Sequence, residues 1–254
     1  MKTKYDHKVL LTGLLSFGLF AILLACSGKK VVNDDVKKAE IILTTSDHVA
    51  IKATVLRPLN TSEKRPAVIL IHQGGSERSE WNPYLDSLLR KKYIVLAYDV
   101  RGHGESDKVD NIYQLFDDPD LVPRDLRAAV QYLLDQPDVD STRIGIVGAS
   151  IGANLACVGI SEMGIKTAVA ISGKTSAVVH LAGKKTLNLR SVFYIASEGD
   201  QGGKRAEWAQ ELFEKTASPK KIEIVKHHSG HGVTVLQESP VVWGEILTWL
   251  EETL

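Results

Sequence analysis

Ser150 lies in "GASIG", Gly148 to Gly152. The stretch around it, "RIGIVGASIGANLAC", passes from branched apolar residues through the serine into small residues. Gly-x-Ser-x-Gly is the spacing of a serine held on a sharp strand-to-helix turn. Small neighbours let strand, helix and hydroxyl crowd together there. The same spacing also suits a glycine-rich turn with an incidental serine, and the chain has 20 glycines. The chemistry must therefore be argued from partners. A serine hydroxyl is a weak nucleophile at neutral pH, so it needs a base within hydrogen-bond reach and an acid that orients the base.

Eight histidines are available. His7 lies in the N-terminal segment before the apolar run, His48 in an early hairpin and His180 in a loop between strands. His72, His103, His227, His228 and His231 fall near strand ends. His231, in "HHSGHGV", is expected to be the base: its loop has glycines on both sides and precedes the final helix. His228 is the alternative. The acid should follow a strand between serine and base. "SVFYIASEGDQGG" offers Asp200, deeper in the glycine-rich turn, ahead of Glu198. Charge developing on a carbonyl oxygen needs backbone donors. Ile151, after the serine, is expected to give one. Gly74 in "HQGGSE" is expected to give the other, with Gly75 or Gln73 as alternatives.

These residues need a scaffold that brings strand ends together. From residue 39 the pattern alternates. "AEIILTT" and "VAIKATVLRP" read as a strand hairpin turning at Ser46-Asp47. "PAVILIHQ" and "YIVLAYD" are continuous apolar runs, as in strands buried on both faces. "LVPRDLRAAVQYLLDQ" carries a helical stripe at Leu126, Ala129, Val130 and Leu133. "RIGIVGA", "TAVAISG", "SVFYIAS" and "KIEIVKH" read as further strands. "NPYLDSLLRKK", "IGANLACVGISEM", "RAEWAQELFEKTA" and "PVVWGEILTWLEETL" read as helices. Alternation of this kind predicts an α/β fold, with a mostly parallel sheet flanked by helices and a site at the carboxyl ends of the strands.

The order Ser150, Asp200, His231 and the segment "DVRGHGES", Asp99 to Ser106, identify what the chain resembles. From about Ile41 to Leu254 it is similar to the α/β-hydrolase superfamily. "DLRAAVQYL" resembles its dienelactone-hydrolase and acyl-peptidase-like branches. Serine stands where dienelactone hydrolases carry cysteine. The resemblance implies a serine hydrolase acting on carboxylic esters or thioesters. The same parts also serve peptidases and acyltransferases, and a fold of this kind can merely bind. Asp99, Arg101 and His103 are expected to organise their loop. About eighteen residues separate the strands ending near Ser172 and starting near Ser191, which leaves little or no cap. No cofactor is expected. No metal site is expected either, because adjacent His227 and His228 would point to opposite faces of a strand.

Residues 1–25 form a segment of their own. Lys2, Lys4 and Lys8 precede the uncharged run Val9 to Ala25, the pattern of an export signal. "LLAC", Leu23 to Cys26, resembles the bacterial lipobox, which implies lipid on Cys26 and a membrane anchor. Residues 26–38 read as a tether and 39–254 as the hydrolase domain. With Cys26 lipidated, Cys157 has no disulfide partner and reads as a small buried hydrophobe. The whole chain has 31 basic and 31 acidic residues and no basic block, so nothing favours nucleic acid. Membrane fractionation tests the anchor: the chain is expected in the membrane fraction, and a chain found in the soluble fraction contradicts the lipidation of Cys26.

Overall fold

A computed structural model describes residues 36–59 and 63–254. The expected signal segment and Cys26 lie outside the described residues. Among the described residues no helix is long and apolar enough to cross a membrane. The first strand, β1 (Val36–Thr44), begins three residues inside the segment expected to be tether. Val36, Lys37 and Lys38 extend the ladder with β2 (Ala50–Pro58) by pairing with Pro58, Arg57 and Leu56. The polar look of "VKK" concealed this, because an edge strand carries polar side chains readily.

β3 (Arg65–Ile71), α1 (Asn82–Arg90) and β4 (Ile94–Tyr98) follow, then α2 (Val122–Leu134) and β5 (Val139–Ala149). The remainder is α3 (Ile151–Glu162), β6 (Thr167–Ile171), α4 (Thr175–Ala182), β7 (Arg190–Ser197), α5 (Lys204–Glu214), β8 (Ala217–Val225), α6 (Thr234–Glu238) and α7 (Val241–Thr253). The eight strands make one sheet in the order β1-β2-β4-β3-β5-β6-β7-β8. β1 and β2 pair antiparallel with each other, and β2 pairs antiparallel with β4; every later pair is parallel. β8 starts four residues earlier than "KIEIVKH" suggested, and α5 ends three residues before the expected end of its helix. Pairing of Ala217 with Arg190 of β7 draws "ASPK" into the sheet despite its polar sequence.

The central strands are buried on both faces, as their unbroken apolar runs require. Ile69, Ile71, Leu96 and Ile146 join one core with α2 and α3. Val68, Leu70, Val95 and Val147 join the other with α1 and α7. Each fully buried aliphatic side chain contributes about 1.5–3 kcal/mol. The carboxyl ends of β3 through β8 thus form a rigid rim that carries the loops. The β6–β7 connection holds one short helix, α4, and no larger insertion.

A buried ion-pair system fixes the loop after β4. Arg101 donates from Nε to Asp125 of α2 at 2.7 Å and from Nη1 to Asp47 of the β1–β2 turn at 2.7 Å. Asp125 also accepts the Arg101 backbone N–H at 2.9 Å. Asp99, fully buried, accepts the N–H groups of Arg78 and Glu105 at 2.7 and 2.9 Å and pairs with the Arg78 guanidinium. Removing one partner of a buried pair strands the other charge. Arg101→Met is expected to lower stability by about 3–5 kcal/mol in urea unfolding. A change within about 0.5 kcal/mol, as at an unconstrained surface position, would contradict this role.

Candidate functional site

Ser150 stands between β5 and α3 with φ 53° and ψ −108°, in a region that side-chain-bearing residues seldom enter. Close approach on both sides holds it there. A Cβ on Gly148 would lie 2.0 Å from the Gly152 carbonyl oxygen, and one on Gly152 would lie 2.2 Å from the Ile71 carbonyl oxygen. The start of α3 is therefore pressed against the end of β3. The Ser150 N–H donates to the Ile171 carbonyl at 2.8 Å, which ties the turn to β6. A serine at a helix start ordinarily caps it with its hydroxyl. Here no side-chain cap bond forms. The Ser150 hydroxyl instead donates to His231 Nε2 at 2.9 Å.

His231 Nδ1–H in turn donates to Asp200 Oδ2 at 2.8 Å. The structure thus joins Ser150, His231 and Asp200 in one hydrogen-bonded chain. Asp200 is buried, while a third of the His231 side chain stays exposed (34%). The alternatives are engaged elsewhere. Glu198 faces outward to Lys226 at 2.9 Å and the His227 N–H at 3.1 Å. His228 lies 3.5 Å from Glu238. His227 and His228 lie past the end of β8, so turn geometry, not the strand alternation expected, sets their directions. Among the described residues no three His, Cys, Asp or Glu side chains gather as a metal site requires.

Ser172, overlooked in the sequence, sits beneath this chain. Its hydroxyl donates to Asp200 Oδ2 at 2.9 Å and accepts the Gly232 N–H at 3.0 Å. Its carbonyl accepts Arg205 Nη1 at 2.8 Å. Burial pulls the Arg205 guanidinium below its ordinary range, and the charge of Asp200 opposes the shift. The signal for Ser172 was its position at the carboxyl end of β6, the same criterion that singled out the other three. Glu238 of α6 was overlooked too; it accepts the Gly230 N–H at 2.8 Å and holds the loop before His231.

The loop after β3 is equally fixed. His72 is fully buried; its Nδ1–H donates to the Gln73 carbonyl at 2.7 Å and its Nε2 accepts the Val100 N–H at 2.9 Å. Burial pushes its pKa down to about 4, so it serves as a neutral link between the ends of β3 and β4. The Gln73 N–H is committed to Glu80 Oε1 at 2.9 Å, which removes Gln73 as a free donor. Burial raises the Glu80 carboxyl above the usual range. Among the described residues, the N–H groups of Gly74, Gly75 and Ile151 have no hydrogen-bond acceptor, so Gly75 stays beside Gly74 as a donor candidate. A Cβ on Gly74 would meet Phe116 at 3.3 Å. Phe116 ends a 3₁₀ turn at Ile112–Phe116 that covers one side of the loop.

The sequence pattern of the alpha/beta hydrolase family matches residues 68–217. The chain belongs to that family. The eight-stranded, mostly parallel sheet of this alpha/beta hydrolase resembles solved esterases. An esterase from Pyrococcus furiosus superposes with a TM-score of 0.67 over 85% of this chain and 91% of its own, at 24% identity. An acetyl xylan esterase from Paenibacillus sp. R4 does so with a TM-score of 0.69 over 89% and 87%, at 15% identity. Those likenesses show the fold. Among curated proteins, the uncharacterised YcjY of Escherichia coli K12 is 30% identical over 108 residues, which is 41% of this chain and 34% of YcjY. The 3-oxoadipate enol-lactonase 1 of Acinetobacter baylyi is 36% identical over 53 residues, 21% of this chain and 20% of the lactonase. The matches to these two thus span about a third or less of their length.

The tight turn of this hydrolase gives a direct test. Gly152→Ala would drive a methyl group into the β3 backbone, and overpacking of that kind costs about 1–3 kcal/mol. Urea unfolding is expected to show that loss. An unchanged midpoint would mean that α3 does not press on β3 as described.

Proposed function

We propose that this protein hydrolyses carboxylic esters or thioesters through an acyl-enzyme on Ser150. The observation that carries the reading is the unbroken chain from Ser150 Oγ through the His231 ring to Asp200 Oδ2. Ser150 Oγ attacks the acyl carbon while its proton passes to His231 Nε2. Asp200 orients the ring and stabilises the imidazolium that forms. The oxyanion of the tetrahedral intermediate accepts from the N–H groups of Ile151 and Gly74. Removing one such donor typically raises a barrier by about 3–4 kcal/mol. Collapse breaks the bond to the leaving alcohol or thiol, which departs with the proton from His231. Water then attacks the acyl carbon with His231 as base. A second collapse frees the acid and restores Ser150.

The partial exposure of His231 supports hydrolysis over transfer to another acceptor, because water has ready access to the acyl-enzyme. The small β6–β7 connection supports an open site. A hollow of about 530 Å³ lies beside the donor loop, lined by Gly75, Ser76, Glu77, His103 and Ile112 among others, with neither Ser150 nor His231 in its lining. The Pyrococcus furiosus and Paenibacillus structures, two of many similar ones, are esterases by their own descriptions, which agrees with this chemistry.

An ester and thioester panel of varied acyl length tests the proposal on wild type and Ser150→Ala. The wild type is expected to turn over at least one short-chain p-nitrophenyl ester. The variant is expected to lose about 10⁴-fold or more in kcat. Retention of full activity in Ser150→Ala would refute the assignment.

A further inference from the structure

The donor loop and the base loop descend from strands that do not touch. Gly74 follows β3 and His231 follows β8, and β5, β6 and β7 lie between those strands in the sheet. No ladder hydrogen bond therefore fixes one loop against the other. Acyl transfer nonetheless needs both at one carbon at the same moment. A misplacement of about 1 Å can cost about 100-fold in rate.

Gln73 spans this gap. Its N–H is held by Glu80, and its carbonyl accepts from His72 Nδ1 at 2.7 Å and from the Ser76 N–H at 3.2 Å. These three bonds anchor the backbone directly before Gly74. The side chain reaches the other way: its Oε1 accepts the Val233 N–H at 3.1 Å, two residues past His231. The contact is close. A Cβ on Gly232 would stand 1.9 Å from Gln73 Oε1, so a glycine at 232 is what lets the amide lie against that backbone. The neighbouring Gly232 N–H is already taken by Ser172. The turn after His231 is thus gripped by one side chain from the end of β6 and one from the end of β3.

We infer that Gln73 is a positioning residue that locks the oxyanion-donor loop and the His231 loop into one frame. Among the described residues it makes no hydrogen bond to the side chain of Ser150, His231 or Asp200. It sets where the Gly74 N–H stands relative to His231 Nε2. The inference rests on the serine-hydrolase reading above.

A double-mutant cycle on Gln73→Ala and Gly232→Ala tests it. Rates on p-nitrophenyl acetate are divided by the fraction of Ser150 that a fluorophosphonate titrates, so unfolded protein is not counted. Gln73→Ala is expected to lower kcat per titrated site about 10–100-fold while KM moves less than about threefold, because the ground-state contacts of the ester are intact. Gly232→Ala pushes the same amide out of place and is expected to lower kcat too. The double variant is expected to lose less than the product of the two single losses, because both act through one contact. A Gln73→Ala enzyme with kcat per site within twofold of wild type would overturn the inference. So would two losses that multiply. A wild type that takes up no fluorophosphonate would instead overturn the hydrolase reading, and this inference with it.

Discussion

The Ile71 carbonyl oxygen stands 2.2 Å from the point where a Cβ on Gly152 would sit. That approach brings the N-terminus of α3 against the end of β3 and forces Ser150 to a φ of 53°. A strained serine persists only where its surroundings over-determine it. Here the surroundings are two central strands, β5 and β3, whose side chains fill both cores. The same contact fixes the start of α3, at Ile151, directly after Ser150. Ser150, the start of α3 and the end of β3 are therefore parts of one packing event.

His231 and Asp200 arrive differently. Their loops are long-range additions to the rim, held by side chains rather than by ladders. Ser172 bridges Asp200 and Gly232, Glu238 holds Gly230, and Gln73 takes Val233. Each of these bonds is buried or partly buried, where a hydrogen bond is stronger than in water and a missing partner costs more. The loop from Glu198 to Gly203 and the loop around His231 also exchange backbone bonds: the Gly199 N–H donates to the His228 carbonyl at 2.8 Å. The result is a preorganised chain in which the ring of His231 has few alternative orientations.

Much of this was legible in the sequence. Unbroken apolar runs such as "PAVILIHQ" and "YIVLAYD" marked strands buried on both faces. The requirement that a functional residue follow a strand set His231 apart from His7, His48 and His180, while loop glycines and chain order singled it out from the rest. What stayed hidden depends on distance along the chain. The Gln73–Val233 and Ser172–Gly232 bonds join residues 160 and 60 positions apart and leave no local pattern. His72 also followed a strand, and only its burial shows it to be a neutral link between loops. Polar edge segments such as "VKK" and "ASPK" did not announce themselves as strand, because partners rather than composition put them in the sheet.

The proposed chemistry needs a reactive hydroxyl at Ser150, and the site of covalent modification measures it most directly. Folded protein treated with a fluorophosphonate and then digested should yield one modified peptide, with the added mass on Ser150. Denatured protein should yield none. Modification of folded protein at another serine, or at none, would contradict the hydrogen-bonded chain as the source of the chemistry.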